Sequence, residues 1–93
     1  PYIKYFAIND LDSDIKNYEP KVALNGGIDG YSKIRLIIKK SSTLIKRKGK
    51  LILEVGLGQI RETKEILELN GFYINRIAKD LGGISRCIVS TKI

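Results

Sequence analysis

The fold of this chain is decided by residues 50–91, which read KLILEVGLGQIRETKEILELNGFYINRIAKDLGGISRCIVST. The nearly continuous apolar run 50–56 is typical of a strand that is covered on both faces. The apolar residues of segment 59–69 then recur at the spacing of one helix face. Asn70 and Gly71 follow directly and form a common helix stop. The stretch therefore begins with a strand and a helix.

Two further strands are predicted at residues 72–78 and 86–91, each rich in apolar and β-branched residues. Only a short turn, residues 80–83, separates them, and such a connection implies an antiparallel pair. A strand-helix-strand unit followed by a hairpin indicates an open α/β sheet, at its closing edge.

Upstream, a second helix is predicted from about Tyr31 to Arg47. Six residues follow the spacing of its inner face: Ile34, Ile37, Ile38, Ser41, Leu44 and Ile45. Leu36 falls among the charged residues and does not fit this face. Residues 1–8 are predicted to leave a strand as a loop, and a short helical piece is predicted near residues 10–17.

The positive charge of the chain is concentrated in one segment. The net charge is +7, and residues 31–50 contain eight Lys or Arg and no acidic residue. One interpretation is a solvated helix face, and another is a surface for RNA or the ribosome. The absence of interleaved aromatic residues favours the solvated face, because such residues would stack on bases. Contact with RNA or the ribosome through residues 33–50 remains the alternative.

The composition excludes several kinds of chemistry. The chain has no histidine and a single cysteine, Cys87, so it cannot assemble a structural zinc site or a nucleophile paired with imidazole. We therefore predict no metal site. No stretch resembles a signal peptide or a membrane span. With one cysteine, this pattern predicts a cytoplasmic protein without membrane attachment.

Two features near the end of the first strand invite a functional interpretation. The sequence Val55-Gly-Leu-Gly-Gln59 resembles the start of a dinucleotide fingerprint, but Arg61 occupies the position of the third glycine. A tight strand-to-helix turn is the favoured interpretation. Glu54 lies within the apolar strand, so its carboxylate is expected either to be hydrogen-bonded near the strand end or to be functional.

The chain begins at Pro1-Tyr2 and contains no methionine, which predicts a processed protein or a fragment. Several landmarks then occur in an order that resembles the C-terminal half of the HemK-like family, which methylates a glutamine side-chain amide in peptide-chain release factors. They are Pro1-Tyr2-Ile3, Tyr18-Glu19-Pro20, Ala23-Leu24, Gly26-Gly27-Ile28-Asp29-Gly30, Leu51 to Gly56 with Gln59, Asn70-Gly71-Phe72, and Lys79-Asp80-Leu81 with Arg86.

This resemblance implies the C-terminal part of a class I methyltransferase fold, a Rossmann-like seven-stranded sheet whose last strand is antiparallel. It implies that residues 1–93 are the C-terminal portion of a catalytic domain whose cofactor-binding half lies outside the chain. The donor would be S-adenosylmethionine, and the partner would be a release factor. Pro1 and Tyr2 match the end of the family's Asn-Pro-Pro-Tyr turn, which implies that they bind substrate.

Further expectations follow from this reading. The chain alone should lack methyltransferase activity, and it should bind S-adenosylmethionine weakly or not at all. Methylation of exocyclic amines in nucleic-acid bases is an alternative, because such enzymes use the same Pro-Pro-Tyr turn. A non-catalytic RNA-binding module is another. Self-association is expected through strand 50–56, where half a sheet would leave an orphaned edge.

Overall fold

The computed structural model describes residues 2–9, 22–23, 31–79, 83 and 85–93. Its strands are β1 (Tyr2–Ile8), β2 (Val22–Ala23), β3 (Lys50–Gly56), β4 (Phe72–Lys79) and β5 (Ser85–Lys92). Its helices are α1 (Ser32–Leu44) and α2 (Ile60–Leu69), and a short 3-10 turn, Leu57–Gln59, joins β3 to α2. The elements predicted for residues 50–91 are thus confirmed, with ends that differ by one residue.

The strands form a sheet in the order β2-β1-β3-β5-β4, and each pair described is antiparallel. Helix α2 connects β3 to β4, which run in the same direction with β5 between them. The strand-helix-strand unit and the final hairpin are therefore both present. The result is a small α/β domain built on an antiparallel sheet.

The core lies between the two helices and one face of the sheet. Leu51, Leu53 and Val55 alternate along β3 and are buried. They join a cluster that also contains Ile34, Ile37, Ile38, Ile45, Leu67, Phe72 and Ile88. This alternation follows from the period of two along a strand, which places every second side chain on the helix face.

Phe6, Ile52 and Val89 face each other in register across β1, β3 and β5 on the opposite face of the sheet. All three are only partly buried, because the buried residues of both helices pack on the first face. The described part of the domain therefore has one covered face and one apolar face that is less covered.

Helix α1 is shorter than predicted. It ends at Leu44, and Ile45 already has an extended backbone (φ −83°, ψ 130°). The chain must turn there to enter β3 at Lys50. Ile45 turns into the core, whereas Leu44 is 74% exposed and does not belong to the inner face. Leu36 is exposed, in agreement with its position among the charges.

The largest difference from expectation is β1. Residues 2–8 form a strand that pairs with β3 from Lys4↔Glu54 to Ile8↔Lys50, so the prediction of a loop is wrong. The edge of β3 is therefore covered, and the expectation of self-association through residues 50–56 loses its physical basis. The helical piece predicted near residues 10–17 lies outside the described residues, as does the turn at 80–83 except for Gly83.

Candidate functional site at one end of the sheet

The sheet has two ends with different connections. At the helix-to-strand end, residues 45–49 and 70–71 lead into β3 and β4, and β5 finishes beside them. At the strand-to-helix end, β3 and β4 finish and β5 begins. Ligands in open α/β sheets bind beyond the carboxyl ends of parallel strands. A ligand-binding site is therefore expected at the strand-to-helix end.

Tyr2 is the first residue of β1, and its backbone pairs with Ala23 of β2. Because Lys4 lies opposite Glu54, β1 begins at the end where β3 finishes. Tyr2 therefore lies at the strand-to-helix end, within a strand rather than in a turn. Pro1 is outside the described residues. The substrate-binding role of Pro1 and Tyr2 stays a prediction.

Glu54 is held at this same end. Its Oε1 atom accepts a hydrogen bond from Ser85 Oγ at 3.0 Å, in a partly buried position. The two residues come together because β3 pairs with β5, with Gly56 opposite Ser85. This partner explains how a carboxylate is accommodated in an apolar strand. Of the two expectations for Glu54, the hydrogen-bonded one is confirmed.

The Gly56-to-Gln59 segment forms the tight strand-to-helix turn that was predicted. The Gly56 N–H donates to Gln59 Oε1 at 3.1 Å, and Gly56 has an ordinary φ of −67°. Tyr31 Oη donates to the Gly58 carbonyl at 3.4 Å. A Cβ atom at Gly58 would meet no atom of the described residues within 4 Å. The turn thus leaves space above Gly58 and does not need glycine there for its own geometry.

Together these groups offer hydrogen bonds and shape but few catalytic groups. Glu54 is bound by Ser85, and Glu65 and Glu68 line a cavity with Gly58. The described residues contain no cluster of three His, Cys, Asp or Glu side chains that could hold a metal ion.

The sequence did not indicate Ser85 as the partner of Glu54. The two residues are separated by helix α2 and strand β4, and their pairing depends on the register of β3 against β5. The only available signal was the short apolar run after Ser85, which predicts a strand but not its neighbour.

None of the helices described is long and apolar enough to cross a bilayer.

Comparison with known proteins gives consistent relatives. The chain is 39% identical over 92 residues to a release factor glutamine methyltransferase of Thermodesulfovibrio yellowstonii, covering 99% of this chain and 33% of the relative. It is 35% identical to the Clostridium acetobutylicum protein of the same name, covering 99% of this chain and 32% of the relative. A bifunctional methyltransferase of Rickettsia conorii is 34% identical, with 100% and 18% covered.

No protein-family model and no solved structure matches the chain. The chain spans about a third of the length of the release factor glutamine methyltransferases that it matches, and not the half that the landmarks suggested. The identity extends over essentially the whole chain in each case, so the resemblance read from the ordered landmarks is confirmed. The chain is homologous to part of a release factor glutamine methyltransferase.

Proposed function

We propose that this chain is the C-terminal portion of the catalytic domain of a methyltransferase that modifies a glutamine side-chain amide in a peptide-chain release factor. The observation that carries the proposal is the identity of 35–39% along 99% of the chain to proteins named for this activity. S-adenosylmethionine would supply the methyl group. We assign its binding to the whole protein, because this chain spans only about a third of the length of its relatives.

The sheet supports this proposal at the level of the fold. In a class I methyltransferase the last strand is antiparallel, and here β5 runs opposite to both β3 and β4. The partly covered apolar face at Phe6, Ile52 and Val89 suits a sheet that has further layers in the whole protein. We therefore propose that β3, β5 and β4 are the closing edge of a larger Rossmann-like sheet; the antiparallel pairing of β1 with β3 is not part of that pattern.

The position of Tyr2 supports the proposal at the level of the site. It lies at the end of the sheet where the carboxyl ends of β3 and β4 meet, which suits a residue that orients substrate. An amide nitrogen is a poor nucleophile, so catalysis depends on holding it in line with the methyl carbon and on stabilising the shifting charge. An aromatic ring contributes packing to that alignment and needs no proton transfer.

The test uses the full-length protein that contains this chain, incubated with S-adenosylmethionine and a release factor from the same organism. Peptide mass spectrometry should find one added methyl group on a glutamine. Tyr2→Ala should lower kcat/KM about tenfold or more, since positioning is worth several kcal/mol in such reactions. Tyr2→Phe should retain most activity. Tyr73→Ala is the matched control, because Tyr73 is an exposed tyrosine on the outer strand β4.

Each other result has a defined meaning. Methyl transfer to nucleic acid, with none to the release factor, would mean that the substrate is an exocyclic amine of a nucleic-acid base and not a protein. An equal loss of kcat/KM in Tyr2→Ala and Tyr73→Ala would mean that Tyr2 does not bind substrate. For the 93-residue chain alone, we expect no methyl transfer and no micromolar binding of S-adenosylmethionine by calorimetry, and binding at that level would contradict the proposed division between this chain and the rest of the protein.

A further inference from the structure

We propose that α1 and the turn after it bind the phosphate backbone of a nucleic acid, without sequence preference. The surface, here called the basic face, consists of Lys39, Lys40, Lys46, Arg47 and Lys48, and all five side chains are exposed. This inference is independent of the proposed methyltransferase function. It concerns a different surface from the strand-to-helix end of the sheet.

The first observation is a concentration of positive charge. Segment 31–50 carries eight basic residues and no acidic residue. Within the described part of the chain, the ion pair present joins Arg61 to Glu65 on α2, and no carboxylate lies within ion-pair distance of the basic face. Clustered cations of this kind create a positive potential that attracts polyanions.

The second observation is that this arrangement opposes the stability of its own segment. Basic residues Lys33 and Arg35 occupy the first turn of α1, where the helix dipole favours acidic residues, and that turn contains none. Lys48 has a φ of +69°, a conformation that suits glycine better than lysine. A polyanion bound to the basic face would offset the repulsion among the exposed cations of that face.

The residue types favour a phosphate backbone over an acidic protein. Six of the eight basic residues in segment 31–50 are lysines, and lysine is depleted in protein–protein interfaces while aromatic residues are enriched. Lysine binds phosphate as a point charge, so it needs no exact geometry. Tyr5, which lines a cavity with Lys40, and Tyr31, at the start of α1, are both partly buried and pack against the core, so neither is an exposed aromatic anchor.

The structure also argues against a membrane surface. A helix that lies in a lipid interface inserts an apolar face, but the apolar face of α1, with Ile34, Ile37 and Ile38, is buried in the core. Leu36 and Leu44 are the exposed large apolar residues of α1, and two residues are too few to form an apolar face. With no aromatic residue to stack on bases, the contact is with the backbone, so duplex and single-stranded RNA should both bind.

The test measures the fluorescence anisotropy of a labelled RNA hairpin of arbitrary sequence with the 93-residue chain, between about 50 and 200 mM salt. Five phosphate contacts predict that log affinity falls against log salt with a slope of about −4. Lys39→Gln with Lys40→Gln should weaken binding at least roughly tenfold and make the slope shallower by about 2.

The matched control is Arg76→Gln with Lys79→Gln, which removes the same charge from exposed positions on β4. Strand β4 is an edge strand of the sheet, separated from β1 by β3 and β5. Helix α1 lies beside β1, because Lys40 and Ser41 line the same cavity as Tyr5 and Ala7. This control should change affinity less than about twofold, because it removes no contact. Circular dichroism melts of both variants test whether the fold is intact.

Three outcomes would overturn the proposal. Equal weakening by the two double variants would mean that only net charge matters. No salt-sensitive binding near 50 mM salt would mean that the basic face is a solvated helix surface. Tighter binding to polyglutamate or to anionic phosphatidylglycerol vesicles than to RNA would assign the surface to an acidic protein or to a membrane.

Discussion

The helix-to-strand connections of the sheet and the β3-to-α2 turn at its other end use glycine in opposite ways. At the helix-to-strand end, a Cβ atom on Gly49 would lie 2.5 Å from Ile45 Cγ2 and 2.9 Å from the Lys46 carbonyl oxygen, and Gly71 has a φ of +82°. At the strand-to-helix end, Gly56 has an ordinary φ, and space is open around Gly58. The helix-to-strand connections require their glycines for the fold itself and the β3-to-α2 turn does not, whereas Gly83 between β4 and β5 again has a positive φ of +72°.

The two ends of the sheet also differ in which groups make the hydrogen bonds. At the helix-to-strand end, backbone bonds of 2.8–2.9 Å join Lys48 and Gly49 to Lys92, and Gly71 to Ile93. At the strand-to-helix end, side chains make the contacts, as in Gln59 to Gly56 and Ser85 to Glu54. The first end is a structural junction. At the second end, the space next to Gly58 is open among the described residues.

The largest effect should come from Gly49→Ala. The added methyl group would press against two backbone oxygens, of Lys46 and Ile8, which cannot move without breaking the junction between α1 and β3. Overpacking of this kind costs about 3 kcal/mol in the free energy of unfolding. Urea unfolding followed by circular dichroism measures the loss. A change below about 0.5 kcal/mol would mean that this end is not tightly packed.

Gly71→Ala should have a smaller effect, because the problem there is backbone conformation and not space. Its Cβ would meet Lys92 Nζ at 3.4 Å, which a flexible side chain can accommodate. A left-handed residue other than glycine costs about 1–2 kcal/mol. Gly71→Asn should lose less than Gly71→Ala, since asparagine tolerates this conformation. If both variants lost the same amount in urea unfolding, the backbone argument would be wrong.

The sequence predicted the parts of the fold that local patterns determine. The alternation along residues 50–56 and the inner stripe of α2, with Thr63 and Leu67 buried, follow from hydrophobic period alone. Strand β1 was missed because its pairing joins residues about 45 positions apart, and no local sequence pattern near residues 2–8 predicts that pairing. Pro1 and Tyr2 were identified as candidate substrate-binding residues only by family resemblance. The residues next to them in the sequence give no independent indication of such a role.

Ser85→Ala tests the side-chain contacts at the strand-to-helix end. Removing the hydroxyl leaves Glu54 Oε1 without this donor in a partly buried position. Net losses for such a bond are about 1 kcal/mol. Thermal unfolding of Ser85→Ala and of the matched control Ser42→Ala, whose hydroxyl bonds to Lys39 within an exposed helical turn, would separate the two contexts. A larger loss in the control would contradict the assignment of Glu54 to Ser85.

The smallest effect should come from Gly58→Ala. No described atom lies near the added methyl group, and the backbone there does not have a positive φ. Alanine restricts the unfolded chain, so the free energy of unfolding should rise by about 0.4–1 kcal/mol or stay unchanged. Measured beside Gly49→Ala in the same urea titration, the two variants should differ in sign or by several-fold in size. A loss at Gly58 as large as that at Gly49 would mean that the two ends are packed alike. The strand-to-helix end would then have no open space for a ligand, and the position of Tyr2 would no longer support a role in binding substrate.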